Sequence, residues 1–593
     1  MYVALTSTLQ GWRNTYAINI HTLAIYFRVL FGCIYAQSSI ATQNEFTNTP
    51  MTNKHISFLL AALLLLLAAP AAAKKKAKKS DITVAVFSLN DFHGAFVRDD
   101  EKDVPGAPAI LQTIDSLRRV YPNSVTVSAG DNFGGSGFYN ATHGQLLPPF
   151  FASLGIRLSA VGNHEFDDGQ KALANKWNGL ATRPAGWDIT YVCANVRDAS
   201  GAIPAFAQPF ASVSVPVGKK DSVRIAFVGL IASSTPQQAS ASKLKGLSFD
   251  GNYPTVLDSV KRLPSFPATV GKADIRLLLT HIGTKTTSDG TPYWEDNDVP
   301  RLLAINDPTW HAILSAHSHE AVVGTINSRP YPVVQGKWHG EYISVVTFRL
   351  DAKTHAVKDI HTELCPVRPT QTPSAEARHL QEQIDSLLTN TKTSGGTPLG
   401  ERITFCPQKL IHSRDDKMRQ TLMGSFVTRA YAEAYRTAAH AADTAIVVGG
   451  SHFQSIRSGF PKGTISTLDV IEALPFSNAL KTYRLTGEQL LNLVRFGRHN
   501  KRFGWLQTSW LRIDTDAQGE PTCLTYVSPQ GSERPITAST PCIFVVDEFI
   551  TTGGDGYTPT LFPADQQIEV LGLPTTTDAF INYLKTFSSL PLE

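Results

Sequence analysis

The sequence predicts an α/β protein with more than one domain, on three observations. The chain has 593 residues, more than a single hydrophobic core usually organises. From Asp81 to about Pro369, short apolar runs alternate with longer polar or helical stretches, the pattern of a sheet layered with helices. Several of these runs lead directly into clusters of Asp, Asn and His. In open α/β sheets, functional loops sit beyond the carboxyl ends of the strands.

The strands expected in order are Ile82–Leu89, Ser124–Ser128, Ile189–Ala194, Val223–Leu230, Ile275–Thr280 and Ala312–Ala316. Most are apolar or β-branched and bounded by Gly, Asp, Asn or Pro, as buried strands are. Ala107–Tyr121 is the expected helical crossover between the first two. Further on, Thr372 reads as an N-cap with Pro373 in the first turn. Ala377, Leu380, Ile384, Leu387 and Leu388 follow at helical spacing. The Thr-, Gly- and Ser-rich stretch Thr389–Pro398 then reads as a hinge. The resulting organisation is a first domain over 81–370, a linker helix and hinge over 371–398, and a second mixed α/β domain over 399–593.

Composition narrows the class. At 42% hydrophobic and 18% charged residues, the chain reads as a soluble globular protein. A formal net charge of +4, part of it in the run Lys74–Lys79, gives no basic face for a nucleic-acid polymer. Residues 51–73 carry the features of a secretory signal: a basic start at Lys54 and His55, an apolar core from Phe58 to Ala69, and a small-residue cleavage site ending at Ala73. Export to a periplasm, cell surface or exterior is the expectation, with no stable membrane span in the mature chain. Residues 1–50 read as upstream sequence ahead of the true start at Met51. A membrane segment over Ile18 to Ile34 is the rival reading, but His21 and Arg28 interrupt it. An oxidising compartment permits disulfides, with Cys365–Cys406 and Cys523–Cys542 as candidate pairs and Cys193 left over.

Five clusters carry the chemistry: Asp91-Phe92-His93, Gly130-Asp131-Asn132, Gly162-Asn163-His164-Glu165, Thr280-His281 and His317-Ser318-His319. A lone histidine or strand-end aspartate is commonly a core or turn residue, so the weight rests on the set. One residue between Asp91 and His93 lets an extended loop aim both side chains at one ion, and His317 and His319 alternate with small residues directly after a strand. Asp131 can bridge two cations. We assign Asp91, His93, Asp131 and His319 to one ion, and Asp131, Asn163, His281 and His317 to the other. Oxygen and imidazole ligands without thiolate suit two divalent ions of Zn, Mn, Fe or Co. His164 is free for catalysis, with Asp167 placed to fix its tautomer.

These clusters resemble the calcineurin-like metallophosphoesterases, and the C-terminal half narrows the resemblance to the 5′-nucleotidase family. That resemblance implies a dimetal phosphoesterase β-sandwich flanked by helices, linked by a helix to a smaller substrate-binding domain. It also implies a base clamp of Phe476, in Pro475-Phe476-Ser477-Asn478, and Phe549, ahead of Gly553-Gly554-Asp555-Gly556-Tyr557. Asp555 matches the family's ribose-binding carboxylate and Asn478 another polar contact of the pocket. Phosphate recognition departs from the family. Where relatives carry an N-G-G-G-x-R segment, this chain reads Ser451-His452-Phe453-Gln454-Ser455-Ile456-Arg457. Arg457 remains the candidate phosphate ligand, and Arg414, Lys417 and Arg419 are candidates for a second, of which we take Arg414. The implied activity is hydrolysis of nucleoside 5′-monophosphates to nucleoside and phosphate. Alternatives within the family are UDP-sugars, 2′,3′-cyclic nucleotides and nucleoside di- or triphosphates; a non-catalytic surface protein that captures nucleotides is the alternative of a different class.

Overall fold

The computed structural model describes residues 81–592 apart from 176–184, 240–241, 289–291, 295–308, 326–331, 414–415 and 443. The leader, the signal-like segment and Arg414 therefore lie outside the described residues. Every element below belongs to one unit, Lys79–Glu593.

The elements that matter, in chain order, are β1 (Ile82–Leu89), α1 (Ala107–Val120), β2 (Ser124–Ser128), β3 (Leu158–Ala160), β4 (Thr190–Val192), β5 (Phe210–Pro216), β6 (Ser222–Ile231), β7 (Ile275–His281), β8 (Ala312–Leu314), β9 (Ala321–Thr325), β10 (Pro332–Gly336), β11 (Tyr342–Leu350) and β12 (Val357–Pro366). They form two six-stranded sheets, ordered β12-β11-β1-β2-β3-β4 and β9-β10-β8-β7-β6-β5. In the first sheet β1 through β4 run parallel, and in the second β10, β8, β7 and β6 do. The remaining strands of both sheets pair antiparallel.

Period-2 alternation explains why the sheets stack. In β1, Val84 and Val86 enter the core between the sheets, while Ala85, Phe87 and Leu89 face the helical layer that includes α1. In the second sheet, Ile225, Phe227, Leu277 and Leu279 meet the first sheet, and Ala226, Val228 and Leu278 pack on the helix Tyr253–Lys261. Each of these strands is buried on both faces, which is why they read as continuous apolar runs. A fully buried Phe or Leu of this kind contributes about 1.5–3 kcal/mol. The result is a β-sandwich with helices on both outer faces.

The linker helix α2 spans Ala375–Asn390. Its N-cap is Ser374, whose hydroxyl accepts from the Ala377 N–H at 3.1 Å. Thr372 and Pro373 thus precede the helix rather than start it, because Ser374 offers the capping oxygen three residues before a free N–H. Leu380 and Ile384 are buried with α1 residues such as Ile110 and Ile114. After it come α3 (Leu422–Ala438), β13 (Val447–Ser451), α4 (Thr467–Ala473), β14 (Leu480–Thr486), α5 (Gly487–His499), β15 (Gln507–Thr508), β16 (Pro541–Asp547), β17 (Gln567–Ile568) and α6 (Thr576–Leu584). Their sheet is ordered β15-β13-β16-β14-β17.

The candidate disulfides do not form: Cys193, Cys365, Cys406, Cys523 and Cys542 are free. Cys365 lies in β12 of the sandwich, whereas Cys406 is buried in the core beneath α3, and Cys542 is buried while Cys523 faces solvent. Among the described residues, no helix is long and apolar enough to cross a membrane.

Candidate active site

All five polar clusters emerge at the carboxyl ends of parallel strands, at one edge of the sandwich. Asp91 and His93 follow β1, Asp131 follows β2, Asn163 and His164 follow β3, His281 ends β7, and His317 and His319 follow β8. Strands of two different sheets must stack in register for these side chains to meet.

They do meet, in overlapping groups. Asp91, His93 and His319 lie together, as do Asp131, His281 and His317, and His93, Asp131 and His164 form a third set between them. His319 Nε2 is 3.4 Å from Asp91 Oδ1 and 3.2 Å from His93 Nε2. His281 Nε2 is 3.1 Å from Asp131 Oδ2 and 3.3 Å from His317 Nδ1. His281 Nδ1 donates to the Ala129 carbonyl at 2.9 Å, which turns Nε2 toward the centre.

Two features fit this cluster to divalent cations. Imidazole nitrogens of different residues approach one another at hydrogen-bond distance beside two carboxylates, and the Asn163 Oδ1 is buried with no partner among the described residues. Cations satisfy all of these acceptors at once. The electrostatics agree. Burial, assisted by neighbouring imidazoles, pushes His93 down to about 3 and His317 to about 4, which keeps both rings neutral and able to ligate. Burial would also lower His281, but the Asp131 and Asp91 carboxylates outweigh it and hold it at about 10, so this pocket strongly favours positive charge.

The backbone that aims these groups is unusual. Asp91, His93, Asp131, His317 and His319 all have positive φ, between 48° and 83°, a left-handed conformation that is costly without a glycine and concentrates at functional sites. Tight loops at strand ends demand it. Glu165 holds three of these loop amides: its buried carboxylate accepts from Asp131 N at 2.9 Å, Asn132 N at 2.7 Å and Gly162 N at 2.6 Å. Gly162 must lack a Cβ, which would fall 2.1 Å from Asp131 Oδ1.

His164 stands beside the cluster. Its Nδ1 is 2.7 Å from Asp167 Oδ2, and its backbone N–H donates to Asp131 Oδ1 at 2.9 Å. Burial disfavours its charged form, but Asp131 and Asp167 together raise it to about 9. Gly134, at φ 61°, makes room for this pair, since a Cβ there would lie 2.0 Å from Asp167 Oδ2.

Sequence reasoning missed two contributors. Gln238, in the short helix Thr235–Gln238, places Nε2 3.0 Å from His317 Nε2 and lines, with His164 and Asn163, a cavity of about 700 Å³ over the cluster. Trp338 lies between two imidazoles, 4.7 Å and 20° from His319 and 3.9 Å and 15° from His339. The backbone N–H of His339 in turn donates to the Asp91 carbonyl at 2.8 Å. The adjacent aromatics in Lys337-Trp338-His339-Gly340, directly after an apolar run, were the available signal.

In the C-terminal sheet, the candidate nucleoside residues gather at one end. Leu480, which opens β14, pairs with Asp547, which closes β16. Phe476 precedes the first and Phe549 follows the second. Parallel to β16, β13 ends at Ser451 and hands the chain to His452. Phe476 and Phe549 are 46% and 43% exposed, unusual for aromatics in a well-packed half and appropriate to stacking surfaces. The Arg457 guanidinium lies 4.8 Å above the Phe476 ring. Asp555, at φ 50°, accepts from His452 Nδ1 at 2.6 Å. Asn478 joins this end through its backbone carbonyl, which accepts from Thr576 N at 2.9 Å.

A sandwich edge carrying clustered carboxylates and imidazoles, joined to a second α/β half, is the architecture of a phosphoester hydrolase. The calcineurin-like phosphoesterase profile matches residues 85–321 and the 5′-nucleotidase C-terminal domain profile residues 402–561. The chain belongs to the 5′-nucleotidase family, whose phosphoesterase domain uses divalent metals. It is 24% identical to an apyrase of Tabanus yao over 81% of this chain and 87% of that protein. It is 22% identical to a cell wall protein of Listeria monocytogenes over 86% of this chain and 68% of the other. Among solved structures, a 5′-nucleotidase precursor from Thermus thermophilus shares the fold with a TM-score of 0.55 at 22% identity, over 86% of this chain and 97% of that one.

Proposed function

We propose that the protein is an exported, metal-dependent 5′-nucleotidase that hydrolyses nucleoside 5′-monophosphates to nucleoside and phosphate. The observation that carries this reading is the pairing of a carboxylate–imidazole centre with half-exposed Phe476 and Phe549. Two divalent cations, when bound, supply Lewis acidity and an acidified water for in-line displacement at phosphorus.

The chain's own residues do the rest. Asp91, His93, Asp131 and His319 hold one cation; Asp131, Asn163, His281 and His317 hold the other. His164, oriented by Asp167, stabilises charge on the phosphoryl group or the leaving oxygen. Phe476 and Phe549 stack on the base, Asp555 and Asn478 accept and donate at the nucleoside, and Arg457 attracts the phosphate, with Arg414 assigned the same role from sequence. Division into a phosphoesterase domain over 81–370, a linker over 371–398 and a substrate domain over 399–593 lets the two groups of residues close on one molecule. Export is supported by the signal-like segment 51–73 and by the likeness to a cell wall protein.

A second reading, hydrolysis of nucleoside di- or triphosphates, is favoured by the likeness to apyrases. Phosphate release from AMP, ADP, ATP, UDP-glucose and 2′,3′-cAMP, measured with and without a chelator, separates them. The expected order puts AMP first and chelation abolishes all activity. Turnover of ADP and ATP above AMP establishes the second reading, and no chelator-sensitive release from any of them overturns both.

A further inference from the structure

We infer that His452 is a positioning residue that fixes both the Asp555 carboxylate and the Phe549 ring of the nucleoside pocket; this rests on the nucleotidase reading above. His452 is 5% exposed and occupies the segment that departs from the family's N-G-G-G-x-R pattern. Facing a carboxylate, its Nδ1 must donate, and it does so to Asp555 Oδ2 at 2.6 Å. Its ring packs on Phe549 with centroids 5.1 Å apart and planes 32° apart. One side chain thereby touches the two groups assigned to the sugar and the base.

Both groups need such support. Asp555 sits between Gly554 and Gly556 in a left-handed conformation, on a loop whose own backbone does little to orient a carboxylate. Asn500 Nδ2 holds the Asp555 carbonyl at 2.9 Å but leaves the side chain free to turn. The bond from His452 engages Oδ2 and leaves Oδ1 to accept from a ligand hydroxyl. Phe549 is fixed from two sides. The Asp547 carboxylate caps its N–H at 3.1 Å, and the His452 imidazole backs its ring. Asp547 Oδ2 in turn lies 3.8 Å from His452 Nε2, so the imidazole is enclosed between two carboxylates and an aromatic face. A half-exposed aromatic held this way loses less rotamer freedom when a base stacks on it.

The two contacts separate by substitution. Asparagine places an amide N–H near the position of Nδ1 and keeps the bond to Asp555 without the ring; phenylalanine keeps the ring without the donor; alanine removes both. We expect His452→Ala to raise KM for AMP about tenfold or more, to weaken adenosine binding measured by calorimetry by a similar factor, and to leave turnover of an aryl phosphate within about twofold. His452→Asn and His452→Phe should each restore part of the adenosine affinity. Wild-type adenosine affinity in His452→Ala, or an equal loss on AMP and the aryl phosphate, overturns the inference while leaving the nucleotidase reading intact. A wild-type enzyme that hydrolyses the aryl phosphate as well as AMP and does not bind adenosine overturns both.

Discussion

The Lys102 ammonium lies 2.7 Å from Glu472 Oε2 and ties the loop after β1 to helix α4. Glu472 is three residues before Pro475-Phe476, and Asp469 of the same helix stands 4.0 Å from the same ammonium. This contact therefore joins the sandwich to the segment that presents one stacking phenylalanine. Close packing reinforces it, since a Cβ on Gly137 would lie 2.8 Å from Glu472 Cγ. Breaking the partly buried pair should cost about 1–2 kcal/mol of the contact between the halves. Lys102→Met should raise KM for AMP several-fold, and the same substitution in a Glu472→Gln background should add little further. Fully additive losses in that double-mutant cycle would refute the coupling.

Asp131 touches both ligand groups, so its removal should dismantle the whole centre. Asp131→Ala should lower turnover of AMP and of an aryl phosphate alike, by about a thousandfold or more. It should also lower bound metal measured by plasma emission. Retention of activity on either substrate would contradict a bridging position.

Phe549 should behave in the opposite way. Phe549→Ala should weaken AMP by about 1–3 kcal/mol, the contribution of one stacking contact, and barely affect the aryl phosphate. Steady-state kinetics on the two substrates decide it.

Trp338 covers the partly exposed ligand His319. Trp338→Ala should release that ring and lower metal retention about 10- to 100-fold, as loss of an outer-layer partner does, without unfolding the sandwich. Metal titration monitored by calorimetry measures it, and an unchanged affinity would show that the stacking is only packing.

Asp578 anchors the stretch after α2 to α6, accepting from Ser394 Oγ and from Thr575 Oγ1 at 2.9 Å. Burial would raise its carboxyl, but these hydroxyls outweigh it and hold it below the usual aspartate range. A depressed carboxyl contributes stability above its unfolded value, near 4, and loses it as pH falls through the lower folded value. Asp578→Asn should thus cost about 1–3 kcal/mol at neutral pH. The gap between the two proteins should shrink as pH falls below about 4. Thermal unfolding across that range tests the sign.

Much of the fold and most of the carboxylate–imidazole cluster are legible in the chain itself. Strands such as Ile82–Leu89 and Val223–Leu230 stand out because burial on both faces leaves a largely apolar run, and the polar clusters stand out because they follow such runs. Strand β3 does not, since three residues carry no periodicity and its partners supply its stability. The strand Val357–Pro366 is equally silent, being a largely polar edge strand whose place comes from long-range pairing with β11, whereas the β-branched run Tyr342–Leu350 is legible, though absent from the strands expected above. Trp338, beyond its place beside His339 after an apolar run, and His452 give little sign of function in sequence because their meaning lies in what they touch: an imidazole 19 residues away and a carboxylate 103 residues away. Capping decides the linker, where Ser374 prevails over Thr372 by one available N–H.

The proposed ligands arrive from two different sheets: Asp91, His93, Asp131 and Asn163 from the first, His281, His317 and His319 from the second. The dry layer between them, with Val86, Phe227, Leu277 and Phe348, therefore works as a ruler. Sliding one sheet over the other by a single residue would move half the ligands by about 3.3 Å, more than a coordination bond tolerates. Thinning that layer far from any metal would detune the enzyme before it melted it.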